Sequence, residues 1–202
     1  MLERPDHGLW AVADGMGGMR AGDVAAQAVV DALAALDTVS EATMASALHG
    51  ANVAIHEAGG GKSGATIVAA HVADGHATIL WAGDSRAYHV HAGTVRQVTR
   101  DHSLVQDMVD RGLLAPAEAE SHPRANVITR AIGVAPDVVI DTVRVTLVSG
   151  DRLLLCSDGV SRSLIPGDLA AREPVAALAD RLLAAALERD GTDNASLIVI
   201  EV

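Results

Sequence analysis

The sequence predicts a mixed α and β fold with helices packed outside layered sheets. Strand-like apolar runs cluster at residues 65–98 and again from residue 138 to the C-terminus. Helical periodicities stand apart from these runs, two of them before residue 58 and one after residue 173. Half of the 202 residues are hydrophobic, enough for one domain with a sizeable core shared between sheets and covering helices.

Composition narrows the expectation. Phe is absent, and Trp10, Trp81 and Tyr88 are the only aromatic residues, so the core is built from Ala, Val, Leu and Ile. A net charge of −11 argues against nucleic-acid phosphates and anionic membranes as partners. One cysteine permits no internal disulfide and fits a reducing compartment. No apolar run approaches the ~20 residues of a membrane span, and Met1–Asp6 has no secretory apolar region. A cytoplasmic monomer of one domain, residues 1–202, or such a domain cut from a longer protein, is expected.

In chain order, Leu9–Asp14 is the first expected strand. From Gly22 to about Leu36, Asp23, Gln27 and Asp31 recur every fourth residue and leave Ala26, Val29, Val30 and Leu33 on the opposite face of a helix. A second helix is expected from about Ser40 to Glu57. Gly59-Gly60-Gly61-Lys62-Ser63-Gly64 invites a phosphate-loop reading, but His56 stands where that motif needs its first glycine. The stretch also follows a helix and enters a strand, the reverse of the motif's context. A flexible connector is expected instead.

Thr66–Val72 and Ala77–Ala82 flank the turn Asp74-Gly75, and Ala87–His91 and Thr94–Val98 flank Ala92-Gly93, giving two hairpins. His89 and His91 alternate onto one strand face and are expected to be solvent-exposed rather than metal ligands. Residues 101–125 change character. Leu104, Val105, Met108 and Val109 mark a short helix ended by Gly112, and Pro116 suits the first turn of another. Val138–Val145, Arg152–Cys156 and Ala195–Val202 are expected strands, with a helix from Pro174 through Ala186 before the last.

Aspartates punctuate the apolar runs. Asp14 ends Leu9-Trp10-Ala11-Val12-Ala13 and opens the turn Gly15-Met16-Gly17-Gly18. Asp84 follows Trp81-Ala82-Gly83, Asp158 follows Leu153–Ser157, and Asp193 precedes the closing strand. One such aspartate is ordinary turn chemistry. Four at the edges of four strands can converge on an oxygen-only site suited to magnesium, manganese or calcium rather than zinc.

The ordered set Asp14-Gly15-Met16-Gly17-Gly18, Gly83-Asp84-Ser85-Arg86, Ser157-Asp158-Gly159 and Asp193-Asn194 resembles the bacterial-type metal-dependent protein phosphatases (the PPM, or protein phosphatase 2C-like, family). Ser63–Thr66, Thr99–Ser103 and Asn126–Gly133 match in order as well. The resemblance spans nearly the whole chain and implies an α+β, four-layer α-β-β-α sandwich of two antiparallel sheets flanked by helices. It implies hydrolysis of phosphoserine and phosphothreonine in proteins, opposing a serine/threonine kinase in signalling, through a water bridging two Mn2+ or Mg2+ ions. Asp14 would bridge the two metals, with the Gly15 carbonyl on one of them, and Asp158 and Asp193 would complete the pair. Asp84 matches a position that binds a third, weaker metal. Asp101 is read as capping the helix after Ser103, and residues 101–125 as the family's flap.

The sequence departs from the family pattern in three places. The family's first strand, its phosphate-gripping arginine and the acidic motif after it have no counterpart, and Arg4 does not stand in that motif. Met19 occupies a position where a histidine is common. Gly64-Ala65-Thr66 replaces a Gly-Thr-Thr-like motif. A pseudophosphatase, a binding module without turnover, is therefore the alternative of a different class. A rival chemistry is Cys156-x5-Arg162, the spacing of cysteine-dependent phosphatases. Asp158 would aim negative charge at a phosphate dianion there, so Cys156 is expected to be a buried strand residue.

Overall fold

The computed structural model describes residues 1–171, 173–189, 191 and 193–202. Its strands are β1 (Leu2–Arg4), β2 (Leu9–Met16), β3 (Gly64–Ala73), β4 (His76–Ala82), β5 (Arg86–His91), β6 (Thr94–Gln97), β7 (Asp141–Thr146), β8 (Arg152–Cys156) and β9 (Leu197–Glu201). They form one sheet in the order β1-β2-β3-β4-β7 and a second in the order β6-β5-β8-β9, with all pairs antiparallel. The helices are α1 (Met19–Ala34), α2 (Glu41–Gly59), α3 (Leu104–Asp110), α4 (Asp158–Ser161), α5 (Pro166–Leu169) and α6 (Val175–Arg189).

Three apolar layers bind four structural ones, and the two-residue period of the strands assigns each side chain to its layer. On β3, Ile67 and Ala69 point toward Val29 and Leu33 of α1 and Met44 and Leu48 of α2. Val68 and Ala70 of the same strand face the other sheet and meet Ile79, Leu153, Leu155, Ile198 and Ile200. On β8 the alternation repeats. Leu153 and Leu155 lie between the sheets, while Leu154 and Cys156 face outward onto Leu169, Leu178 and Leu182. The expected α-β-β-α sandwich is the observed fold.

The element bounds differ from expectation for local reasons. A strand precedes Leu9: Leu2–Arg4 pairs with Leu9–Ala11, register Glu3↔Trp10, and three residues are too few to show a period. α1 starts at Met19, directly after the glycine turn, rather than at Gly22. Gly59–Lys62 is a helix stop, not a flexible connector. Gly60 adopts left-handed φ 58° and its N–H donates to the His56 carbonyl, as helix C-termini favour. α2 opens on a Ser40–Thr43 capping box, which satisfies backbone donors that the first turn cannot pair internally. Pro116 starts only a single 3-10 turn, Pro116–Glu118. β7 begins at Asp141 rather than Val138; Val138 is buried in the helix-side core. α4 and α5 have too few residues to show a period and were not expected.

Candidate active site

Strand direction gathers the aspartates. β2 and β4 both run antiparallel to β3, so their carboxyl ends share one side of their sheet. β8 runs antiparallel to β9, so the end of β8 and the start of β9 share one side of the other sheet. Asp14 lies near the end of β2, on the same face as Val12, which packs between the sheets. Asp84 follows β4, Asp158 follows β8 as the first residue of α4, and Asp193 precedes β9. All four line a cavity of about 200 Å³ with Gly15 and Arg162. Among the described residues, no three acid, imidazole or thiol side chains already close into a ligand cage. The aspartates form the walls of an open space.

The carboxyl groups carry the marks of crowding. Burial, then the charge of Asp158, raise Asp14 from 3.8 to about 7, and Asp193 and Asp84 add to the effect. Burial, then Asp158, raise Asp84 to about 6, and Asp101 adds to the rise while Arg162 opposes it. Desolvation and like charge both disfavour the ionised form. Asp158 divides its two oxygens. Oδ2 accepts from Arg162, four residues on. Oδ1 is buried and has no hydrogen-bond partner among the described residues. With its neighbours ionised, that oxygen is relieved either by a proton held on Asp14 or by a cation. An all-oxygen donor set with a surplus of negative charge suits a hard divalent ion.

Backbone contacts hold these positions closely. A Cβ on Gly159 would meet the Asn194 carbonyl oxygen at 2.4 Å, so α4 and the segment carrying Asp193 touch with no room for a methyl group. Gly83, before Asp84, has φ 120° and is clamped on both sides by His102. Its N–H donates to His102 Nδ1 (3.0 Å) and its carbonyl accepts from the His102 N–H (2.9 Å). The His102 ring stacks on Trp81 at 6.1 Å, and its Nε2 pairs with Asp141 Oδ2 (3.2 Å). Burial holds His102 below its usual pKa. Thr66 and Ser85 share a buried hydroxyl hydrogen bond of 2.7 Å behind the same loop. Sequence spacing carried no sign of the His102 clamp, which joins residues 19 apart.

Several expectations are corrected. Asp101 does not cap α3: it forms a bidentate pair with Arg86 (Nε to Oδ1 3.0 Å, Nη2 to Oδ2 2.7 Å), and Ser103 itself accepts from the Gln106 N–H. His89 is not exposed. It is buried, and both it and His91 bond the nearly inaccessible Asp151, at 2.9 and 2.7 Å. Asp151 lies beyond the hairpin, where strand alternation gives no hint of it. Cys156 is fully buried, and desolvation pushes its thiol up to about 12. It faces α6, away from the space between the sheets. That burial and that upward shift are the reverse of the exposed, electropositive setting a phosphate-attacking thiolate needs. Arg4 donates to the Leu36 carbonyl (2.6 Å) and ties the end of α1. Thr192 and the Met19 side chain lie outside the described residues.

A family profile described as protein phosphatase 2C matches residues 3–197. The chain belongs to the protein phosphatase 2C family. It is 38% identical to the serine/threonine protein phosphatase PstP of Mycobacterium tuberculosis over 96% of its own length and 40% of that protein's. It is 35% identical to the serine/threonine phosphatase stp of Listeria welshimeri, covering 94% of itself and 82% of that relative. A PstP catalytic domain solved with two manganese ions superposes with a TM-score of 0.84 at 36% identity, over 96% of this chain and 86% of that one. This phosphatase 2C family member thus shares its fold with a two-manganese protein, and its own aspartate-walled cavity suits such ions.

Proposed function

We propose that Asp14, Asp158 and Asp193, with the Gly15 carbonyl, hold the two Mn2+ or Mg2+ ions of this metal-dependent protein-serine/threonine phosphatase. The observation that carries the assignment is the buried Oδ1 of Asp158, which has no hydrogen-bond partner among the described residues and lies in a cavity shared with Asp14, Asp84 and Asp193. Such ions, when bound, supply an activated water and neutralise phosphoryl charge. The chain's own residues do the rest. Asp14 faces the space between the sheets from a paired strand, so its backbone position is set before a ligand arrives. The Gly159–Asn194 contact sets the spacing of the Asp158 and Asp193 segments. Arg86 is committed to Asp101, and Arg4 to the end of α1, so neither is free to grip phosphate.

The reading extends to context. Residues 101–125, carrying α3 and the Pro116 turn, act as a flap; Glu120 of this segment lies 3.6 Å from Arg86, beside a second cavity of about 50 Å³ that reaches Asp84, Asp158 and Arg162. Phosphorylated proteins made by an opposing serine/threonine kinase are the proposed substrates, met by a single-domain monomer in the cytoplasm. The lone buried cysteine supports a reducing compartment. No helix among the described residues is long and apolar enough to cross a membrane.

Phosphoserine and phosphothreonine peptides, assayed with Mn2+ and then with a chelator, test the reading. Turnover that the chelator abolishes and Mn2+ restores is expected. Retained Mn2+ binding without turnover would instead make the chain a pseudophosphatase, and turnover untouched by chelation would overturn the metal assignment.

A further inference from the structure

Arg162 is the one basic side chain that lines both the aspartate cavity and the adjoining cavity under residues 101–125, among the described residues common to the two. It stands one helical turn after Asp158, so its guanidinium folds back onto that carboxylate. The pair is largely enclosed, with side-chain exposures of 26% for Arg162 and 15% for Asp158. Its charge reaches Asp84 as well, where it opposes the rise that Asp158 and Asp101 cause.

The consequence is a division of labour between oxygens. Asp158 Oδ1 is buried with no hydrogen-bond partner among the described residues, which leaves its lone pairs for a cation; Oδ2 is held by Arg162. An ion placed between Asp84 and Asp158 would have to take Oδ2 from the guanidinium, or share the space with it. Charge points the same way. Four carboxylates balance two divalent ions, and the guanidinium then leaves one positive charge for an incoming phosphate dianion. A third divalent ion would sit against a fixed cation that cannot deprotonate.

We propose that Arg162 is this site's built-in third cation: it occupies the Asp84–Asp158 side of the cavity, so the phosphatase takes two divalent ions and Asp84 ligates neither. The inference rests on the two-metal reading above and departs from the expectation that Asp84 holds a third metal. In this account Arg162 is a positioning residue. It fixes the rotamer of Asp158 through Oδ2 and places permanent charge where the two cavities meet. Asp84 serves as the second anion that keeps the guanidinium there.

Metal counting tests it without reference to turnover. Mn2+ bound per chain is measured by equilibrium dialysis and calorimetric titration, with melting temperatures confirming that each variant is folded. Two ions are expected for the unaltered chain and for Arg162→Lys, which keeps the charge. Three are expected for Arg162→Met, the added one at least ten-fold tighter than any third ion in the unaltered chain. Asp84→Asn alone leaves two ions, and in the Arg162→Met background it removes the third. Three ions in the unaltered chain, two in a folded Arg162→Met variant, or one in Asp84→Asn each overturns the proposal while leaving the two-metal reading standing. No Mn2+ in any variant overturns both. If Arg162→Met does not fold, the Asp84→Asn count still decides whether Asp84 is a ligand.

Discussion

Asp158 shows how one side chain can carry two duties. Its Oδ2 is oriented by Arg162 while its Oδ1 is buried with no hydrogen-bond partner among the described residues. Asp158→Asn should therefore keep the fold and lower Mn2+ affinity by at least the ~10–100-fold that loss of even an outer partner costs a metal site. Calorimetric titration measures this, and unchanged affinity would count against the assignment. Cys156 makes the opposite prediction. Its thiol is fully buried on the α6 side of β8. Cys156→Ser should retain metal-dependent turnover and lose about 1–3 kcal/mol of stability, the cost of placing a hydroxyl in an apolar site. Loss of turnover in a folded, Mn2+-binding Cys156→Ser protein would reinstate the thiol chemistry. The four aspartates were legible as single residues because each borders an apolar run. The commitments of Asp101 to Arg86 and of Asp151 to His89 and His91 were not. Those partners lie 15, 62 and 60 residues away, and nothing in a one-dimensional pattern pairs them.

Elements were legible where they were long enough to repeat. α2 was expected from about Ser40 to Glu57 and is observed at Glu41–Gly59, its capping box and glycine stop emerging only in the structure, whereas β1, α4 and α5 have three or four residues and show no period. α4 matters most among the unforeseen elements, since it turns Asp158 inward and brings Arg162 back over it. Its close approach to the Asp193 segment is testable. Gly159→Ala would push a methyl group against the Asn194 carbonyl oxygen, 2.4 Å from the new Cβ. Backbone atoms cannot swing aside as a side-chain tip can, so the segments must part. Weaker Mn2+ binding with the sheets intact is expected, measured by titration alongside far-ultraviolet circular dichroism. Ser40→Ala is the control at this scale: it removes a cap far from the cavity, should cost about 1 kcal/mol, and should leave Mn2+ affinity unchanged.

At the scale of the molecule, the layered fold followed from grouped strands and flanking helices, and the four-layer detail from the family resemblance. The crowding of the carboxyl groups required coordinates. It predicts a pH dependence for the metal-free protein. Asp14 at about 7 and Asp84 at about 6 both lie above the 3.8 of an unperturbed aspartate. Between about pH 4 and pH 7 the folded chain therefore binds more protons at these groups than the unfolded chain. Their contribution makes stability fall as pH rises through that window. Thermal melts in chelator should show this decline, and an Asp14→Asn, Asp84→Asn double variant should flatten it. A slope unchanged in the double variant would place the effect elsewhere. Saturating Mn2+ should also reduce the slope, because the ions offset the charge that rising pH creates.

The cavity is walled by residues 14, 84, 158 and 193, two on one sheet's rim and two on the other's. No fragment that forms a single sheet possesses it, and it comes into being only when both sheets have docked. Divalent ions can then act only on what is already assembled. If docking completes after the rate-limiting barrier, Mn2+ leaves the refolding rate untouched and slows unfolding. Stopped-flow denaturant jumps with and without Mn2+ should show a lowered unfolding limb and an unmoved refolding limb. The ion would then be a lock applied to the finished molecule, lengthening its lifetime without helping it form.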